Sequence, residues 1–156
     1  MTETTQDTPP FADILNGSLE SLIPVAHKMG VEAVEIRRGH AKLRVPIAGN
    51  GNHFGVMYAG VLFTVGEMLG GAIPLATFDN SAYYPLVKDL QIFFKKAAKT
   101  DITSEATLSE DEIARIEATA AEHGKCDFEL EATLTDTNGV VVATTKGLYQ
   151  LRALGK

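Results

Sequence analysis

The sequence of 156 residues lacks the features that mark several common classes of protein. Its single cysteine, Cys126, excludes an internal disulfide and a cysteine-cluster metal site, and its place in an alternating strand pattern is typical of a small core residue. The four histidines are not spaced as metal ligands are, so we expect no metal site. The formal net charge of −6 argues against a general nucleic-acid binder, so we expect no nucleic-acid partner.

Two enzyme motifs and an export signal are also missing. The N-terminal segment MTETTQDTPP has neither the basic residues nor the apolar core of an export signal, so we expect a cytoplasmic protein. No Gly-x-Ser-x-Gly segment is present, which argues against the serine elbow of an α/β-hydrolase. The segment GNGNHFG is similar to a dinucleotide-binding loop, but its third glycine comes one residue late and an antiparallel strand pattern follows it. We therefore expect no bound cofactor.

The length and the hydrophobic pattern predict one domain of mixed α+β structure. Residues 1–10 read as a disordered lead-in and residues 11–156 as a single domain. A first helix is predicted over Phe11–Met29, broken at Gly17 or restarted at Pro24, with Ser18 as a candidate N-cap and Gly30 as its end. A second, short helix begins at the capping box of Ser109 and ends at His123–Gly124. Alternating apolar residues predict strands at Val34–Ile36, Leu43–Ile47, Leu86–Lys95, Ile102–Leu108, Cys126–Thr135 and Val141–Leu151.

A long apolar helix is predicted at the centre of the chain, from about Met57 to Ala72, where Pro74 stops it. It is apolar on nearly all sides, so most of its surface should be buried. The glycines in this helix lower its propensity to form. One explanation is that a sheet or a ligand must approach the helix backbone closely; the alternative is that Gly70 and Gly71 lie in a frayed C-terminal end of the helix. The stretch Phe54–Phe78 is also long enough to span a membrane. Three features favour a buried helix instead. The stretch contains a charge near its centre and a proline, and the amphipathic strands need a partner that covers their apolar face. We therefore expect no membrane span.

Glu67 is the only formally charged residue between Gly49 and Phe78. Apolar surroundings make an ionised carboxylate costly and should raise its pKa. Perturbed carboxylates cluster at functional sites, which makes Glu67 the first candidate for a catalytic residue. The alternative is a structural carboxylate capped by a nearby amide or hydroxyl group.

Three segments resemble the hotdog-fold acyl-thioesterases, and specifically their phenylacetate-pathway-like branch. The segments are Asn52, the run Tyr58–Glu67 (YAGVLFTVGE) and the run Asp89–Phe94 (DLQIFF), and the resemblance covers about Val31 to Arg152. It implies an antiparallel sheet of about five or six strands wrapped around one long central helix. It also implies hydrolysis of a small acyl thioester of coenzyme A or of a carrier protein, with coenzyme A present only as part of the substrate.

The resemblance assigns roles to individual residues. The family's catalytic acid falls on Glu67, and the residue at the helix start whose N–H polarises the thioester carbonyl falls on Ala59, followed by Gly60. The asparagine that contacts water or the carbonyl falls on Asn52. Two positions differ, because the family has a histidine at Tyr58 and a glycine at Ala59. Some members carry a serine before the aspartate of the next strand, where this chain has Val87. A backbone donor survives a Gly→Ala change, and a tyrosine can still donate a hydrogen bond.

The spacing of Ala59 and Glu67 predicts an oligomer. Eight residues along a helix span about 12 Å at 1.5 Å per residue, which is too far for both groups to act on one carbonyl carbon. Two helices from two subunits around a two-fold axis can bring the groups together, as the resemblance also implies. We therefore expect a homodimer or a dimer of dimers.

Lysines and aromatic residues supply further candidates for substrate binding. Lys88, Lys95 and Lys96, with Lys99 nearby, would contact the phosphates of coenzyme A or of a carrier arm; alternatively they form a solvated strand end. Tyr83, with Tyr84 and Phe78, would line an acyl pocket or belong to the core. The main alternative function is a non-catalytic acyl-thioester binding or sensing domain. Hydratase or isomerase chemistry on the same fold is disfavoured because no Asp precedes a His by five positions.

Overall fold

A computed structural model describes residues 10–155 of the chain. The predicted lead-in, apart from Pro10, therefore lies outside the described residues. The elements in chain order are α1 (Phe11–Leu22), α2 (Pro24–Met29), β1 (Glu32–Arg37), β2 (His40–Val45), α3 (Ala59–Glu67), α4 (Leu69–Thr77), β3 (Tyr83–Phe94), β4 (Ile102–Thr107), α5 (Glu110–His123), β5 (Lys125–Thr135) and β6 (Val141–Ala153).

The six strands form one antiparallel sheet in the order β1-β2-β4-β5-β6-β3. Helices α3 and α4 follow one another almost without interruption and together form the central helix, Ala59–Thr77. Between them they contact all six strands, so the sheet wraps around the helix. This is the α+β hotdog arrangement, and the predicted fold class is confirmed.

The alternation of the strands builds the core between the sheet and the central helix. On β5, residues Cys126, Phe128, Leu130, Ala132 and Leu134 are buried, while the residues between them face outward. Burying this apolar face is the main favourable term in folding, at about 25 cal/mol per Å² of apolar surface removed from water. The central helix is long and apolar enough to cross a membrane by length and composition alone, but its own sheet buries more than half of it.

The N-terminal helices differ from the prediction at two positions. Helix α1 runs through Gly17 without a break, because Leu19 and Ala12 anchor it in the core on either side. The interruption comes at Ile23, directly before Pro24, since the residue before a proline avoids helical angles. Ser18 is not an N-cap; its hydroxyl donates to the carbonyl of Ile14 at 2.8 Å, inside the helix. The chain then leaves α2 at Gly30 with φ +82°, as predicted.

The central helix begins at Ala59 and ends at Thr77, so the prediction that Pro74 stops it is wrong. A proline inside a helix costs about 3 kcal/mol because it removes an N–H and crowds the preceding turn. Burial of Ile73, Pro74 and Thr77 in the core outweighs that cost. The hydroxyl of Thr77 also donates to the carbonyl of Ile73 at 2.7 Å in the last turn.

Two glycines of the central helix allow strand β6 to approach its backbone. A Cβ placed on Gly70 would lie 1.9 Å from the ring of Tyr149, and one placed on Gly66 would lie 2.8 Å from a methyl carbon of Thr145. The predicted close approach of a sheet is therefore confirmed at these positions, and Gly70 is not a frayed end. Gly71 differs from both, since a Cβ there would meet nothing within 4 Å.

The two edges of the sheet are not equivalent. Edge strand β1 is covered by α1, where the side-chain amide of Asn16 donates to the carbonyl of Ala33 at 2.9 Å and accepts from its N–H at 2.7 Å. Edge strand β3 pairs only with β6, and no other strand of the described residues covers its outer side. It carries the exposed side chains of Val87, Phe93 and Phe94. A bare edge of this kind is where a second chain can pair.

Replacing Gly70 by alanine should destabilise the fold by about 1–3 kcal/mol or more, because the new methyl group overlaps the buried ring of Tyr149. Gly71→Ala is the matched control, one position further along the same helix with open space around it. It should raise stability by up to about 1 kcal/mol through helix propensity. Denaturant unfolding of both variants measures the difference, and equal midpoints would contradict this packing.

Candidate active site

The N-terminal end of the central helix presents two unused hydrogen-bond donors. Tyr58 is the N-cap residue, and its carbonyl accepts from the N–H groups of Val61 and Leu62 at 3.0 and 3.3 Å. Within the described part of the chain, the N–H groups of Ala59 and Gly60 have no hydrogen-bond partner. They lie at the positive end of the helix dipole. This end of the helix can therefore receive an anionic oxygen.

The loop before the helix is held by two asparagines. The side-chain amide of Asn50 donates to the carbonyls of Met29 and Pro46, both at 2.7 Å, while its backbone carbonyl accepts from the Tyr58 N–H at 2.8 Å. The side-chain oxygen of Asn52 accepts from the N–H groups of Phe54 and Val56, at 2.9 and 3.3 Å. That oxygen therefore shapes the loop, and only the amide nitrogen of Asn52 is left for a ligand. Sequence reasoning missed Asn50, whose partners lie in other elements.

A cleft of about 370 Å³ lies beside the start of the helix and brings four predicted site residues together: Asn52, Ala59, Lys95 and Lys96. The lysines reach it because the segment after β3 is tied to the loop by a hydrogen bond from the Met57 N–H to the carbonyl of Ala98, at 2.8 Å. The rest of its lining is mostly apolar. The cleft thus combines an apolar wall, a backbone donor and two cations.

Tyr58 faces a neighbouring cavity of about 300 Å³, which also contains Asn52 and His53. Its ring leans over the first turn of the helix, where a Cβ on Gly60 would lie only 2.7 Å from a ring carbon. Gly60 therefore leaves room for the tyrosine ring next to the two free N–H groups.

Glu67 ends α3 and is partly buried. Burial raises the pKa of its carboxyl group, as the sequence predicts. Among the described residues, no side chain or N–H group forms a hydrogen bond or ion pair with this carboxylate, and burial is the only cause of its raised pKa. The capping partner that a structural role would need is therefore not found in the described chain. Glu67 lines neither cavity, in keeping with its distance along the helix from Ala59.

The other two predicted binding residues lie apart from the cleft. Lys88 sits at an irregularity in β3, between Val87 and Asp89, and its ammonium group pairs with Asp127 at 2.8 Å. Tyr83 begins β3 at the opposite end of the strand from Lys95 and packs against the core. The described residues contain no group of three or more His, Cys, Asp or Glu side chains that could hold a metal ion.

These features define a hotdog domain with a polar site at the start of its central helix. Residues 13–149 match the family described as domain of unknown function (DUF4442), and the chain belongs to that family. The crystal structure of PA5026 from Pseudomonas aeruginosa, named as a probable thioesterase, is 43% identical, with a TM-score of 0.84 over 92% of this chain and 97% of that one.

More distant structures share the fold. Protein OLEI01261 from Chlorobaculum tepidum TLS is 19% identical, with a TM-score of 0.82 over 90% of this chain and 93% of that one. Thioesterase HI1161 from Haemophilus influenzae is 15% identical, with a TM-score of 0.73 over 93% of this chain and 92% of that one. No curated protein matches the chain.

Replacing Glu67 by glutamine should stabilise the folded protein at neutral pH. A carboxyl group whose pKa is higher in the folded chain than in the unfolded one stabilises the fold while protonated, and this contribution is lost as pH rises through the raised pKa. Wild type should therefore lose stability relative to the variant as pH rises from about 4.3, the ordinary pKa of glutamate, to neutral. Unfolding midpoints across this range test the prediction. A variant less stable than wild type at neutral pH would indicate a paired, structural carboxylate.

Proposed function

We propose that this protein hydrolyses acyl thioesters. The observation that carries the proposal is found on one helix, where two unused N–H donors at its start are followed by an unpaired, partly buried carboxylate at Glu67. Thioester hydrolysis needs these two kinds of group, a donor for the oxyanion and a base or nucleophile. The names of the similar structures from Pseudomonas aeruginosa and Haemophilus influenzae support the same activity.

The chemistry follows from the two groups. The N–H of Ala59, which donates to no acceptor among the described residues, donates a hydrogen bond to the thioester carbonyl oxygen, whose negative charge grows as the carbon is attacked. Glu67 either removes a proton from the attacking water or attacks the carbonyl carbon itself, giving an anhydride that water then opens. The carbon–sulfur bond breaks in both cases. In the first route the thiolate takes the proton that Glu67 removed from water. In the second it leaves as the anhydride forms, and water that opens the anhydride gives the free acid, restores the Glu67 carboxylate and supplies the proton of the thiol. The raised pKa of Glu67 makes it a stronger base than an exposed glutamate.

The site is shared across a homodimer in this proposal. Ala59 and Glu67 of one chain are about 12 Å apart along the helix and cannot reach the same carbonyl carbon. The bare edge of β3 offers the pairing surface, because two sheets joined there about a two-fold axis place their central helices side by side. Ala59 of one chain then meets Glu67 of the partner subunit. A dimer of dimers would keep the same paired sites.

The substrate proposed is an acyl thioester of coenzyme A or of a carrier protein, as in cytoplasmic metabolism. Lys95 and Lys96 stand at the cleft that contains Ala59, where they can meet the phosphates of the thiol carrier. The apolar wall of the cleft can contact the uncharged part of the arm that joins the phosphates to the thioester. Coenzyme A would enter only as part of the substrate, with no separate cofactor.

A binding or sensing domain is the second candidate, and one observation favours it. The side-chain oxygen of Asn52 is already used by the loop, and position 58 holds a tyrosine where the family has a histidine. The groups that could hold an attacking water are thus fewer than the resemblance implies. Such a domain would bind acyl thioesters in the same cleft and leave them intact.

Replacing Glu67 by glutamine should lower kcat for acyl-CoA hydrolysis by about 10²-fold or more, since both the base and the nucleophile are lost. Replacing Ala59 by proline should lower it by about 10²–10³-fold, because only the N–H donor is removed. Proline is favoured at the first helical position, and Tyr58 before it already has the extended ψ of 136° that proline requires. Glu129→Gln, on the exposed face of β5, is the matched control and should keep wild-type activity.

Mixing the two inactive proteins tests the shared site. Refolding equal amounts of Ala59→Pro and Glu67→Gln chains together makes about half of the dimers mixed, and each mixed dimer has one intact site out of two. About a quarter of wild-type activity should return. No recovery would place both groups in one chain, and a Glu67→Gln variant within about threefold of wild type would refute the catalytic role.

Replacing Lys95 and Lys96 together by alanine should raise KM for acyl-CoA and leave kcat nearly unchanged, because phosphate contacts bind the ground state and the transition state alike. The effect should shrink as salt concentration rises. Replacing Lys125 and Lys146 by alanine, both exposed on other strands, is the control of equal charge. An unchanged KM would return Lys95 and Lys96 to a solvated strand end.

A further inference from the structure

The backbone of Glu67 is held by a buried tyrosine from the far end of the chain. The hydroxyl group of Tyr149, on β6, donates to the backbone carbonyl of Glu67 at 3.0 Å. Tyr149 is 2% exposed, and its hydroxyl pKa is raised first by burial and then by the charge of Glu67. The hydroxyl group therefore stays protonated and remains a donor. This contact joins the proposed catalytic residue to the sheet.

The carbonyl of Glu67 is available because the central helix is interrupted directly after it. Helix α3 ends at Glu67 and α4 begins at Leu69, with Met68 between them. The N–H of Gly71, which would continue the helical pattern by donating to Glu67, donates to the carbonyl of Met68 at 3.1 Å. The Tyr149 hydroxyl supplies the hydrogen bond at this point in place of the helix.

The sequence makes room for this ring at two places. A Cβ on Gly70 would lie 1.9 Å from one ring carbon of Tyr149, and a Cβ on Gly147 would lie 2.4 Å from another. The ring also stacks on Phe128, with centroids 5.7 Å apart. Glycine weakens both a helix and a strand interior. Two glycines in contact with one tyrosine indicate that the position of its ring, and so of its hydroxyl group, is closely constrained.

We propose that Tyr149 is a positioning residue for Glu67, whose hydroxyl group fixes the turn that aims the carboxylate at the substrate. The inference rests on the proposed thioesterase function. The carboxylate has no hydrogen-bond or ion-pair partner among the described residues, so the placement of its backbone is the main constraint on its direction. Small displacements of a reacting group lower the rate strongly, so a single hydrogen bond to this backbone matters.

Tyr149→Phe keeps the ring in its slot and removes only the hydrogen bond. The variant should lower kcat for acyl-CoA hydrolysis by about tenfold per folded molecule and leave KM within about twofold, because substrate binding does not involve this residue. Ser104→Ala is the matched control. Its buried hydroxyl donates at 2.7 Å to the carbonyl of Val65, also on the central helix, but does not contact Glu67. It should lower stability and leave kcat unchanged.

Two further measurements separate this inference from the function on which it rests. In a Glu67→Gln background, Tyr149→Phe should cause no additional loss of kcat, since there is no carboxylate left to aim. The titration of the Glu67 carboxyl group, followed by carbon-13 NMR, needs no activity. The pKa of Glu67 should fall toward the ordinary value in Tyr149→Phe, because a loosened turn leaves the partly buried carboxylate more exposed to solvent. It should stay raised in Ser104→Ala.

The outcomes are distinct. Loss of activity in Glu67→Gln with full activity and unchanged titration in Tyr149→Phe would overturn the positioning role and leave the proposed function standing. Equal losses of kcat in Tyr149→Phe and Ser104→Ala would also overturn it, because activity would then depend on any hydrogen bond that holds the central helix and not on the contact with Glu67. If the wild-type protein hydrolyses no acyl thioester, the proposed function fails. An unchanged titration in Tyr149→Phe would then reject the inference, and a lowered pKa would support control of the Glu67 carboxylate by Tyr149.

Discussion

The contact between the central helix and strand β6 is the constraint on which the rest of the structure depends. Gly66 and Gly70 lack the side chains that would separate the helix from strand β6, and Gly147 on that strand leaves room for the Tyr149 ring. The sheet can therefore close around the helix, and the Tyr149 ring fits between the two backbones. The same contact holds the turn that carries Glu67. Core packing and the geometry of the proposed site are thus set by one interface.

Local sequence signals predicted most of the elements because each acts over a few residues. The alternation on β5 and the capping box at Ser109, whose hydroxyl accepts from the Glu112 N–H at 3.2 Å, are found as predicted. The errors at Gly17 and Pro74 have one cause. Both residues disfavour a helix locally, but burial of their neighbours against the sheet stabilises the helix through them. Such packing is set by distant strands and cannot be seen within a short window of sequence.

In the candidate site, too, local features could be predicted from the sequence and contacts between distant residues could not. Glu67 could be found from sequence because an isolated charge in an apolar stretch is conspicuous, and the raised pKa has the physical cause that the sequence implies. The grouping of Asn52 and Ala59 with Lys95 depends on a loop folding against the segment after β3, which no motif encodes. Two other contacts join residues far apart in the chain. Lys88 lies away from the cleft and forms an ion pair with Asp127, and the Tyr149 hydroxyl group donates to the backbone carbonyl of Glu67. Contacts of this kind become visible only in the folded structure.

The unequal edges of the sheet bear on how large an assembly can grow. Asn16 presents an amide to Ala33 as a neighbouring strand would, so the β1 edge is occupied by a side chain that cannot propagate pairing. Strand β3 has no such cover among the described residues. A sheet with one blocked and one open edge can add a single neighbour, and two such sheets joined at their open edges have blocked edges at both ends. Strand addition is then self-terminating, which protects a twelve-residue open strand from the fibrillar stacking that exposed edges otherwise invite.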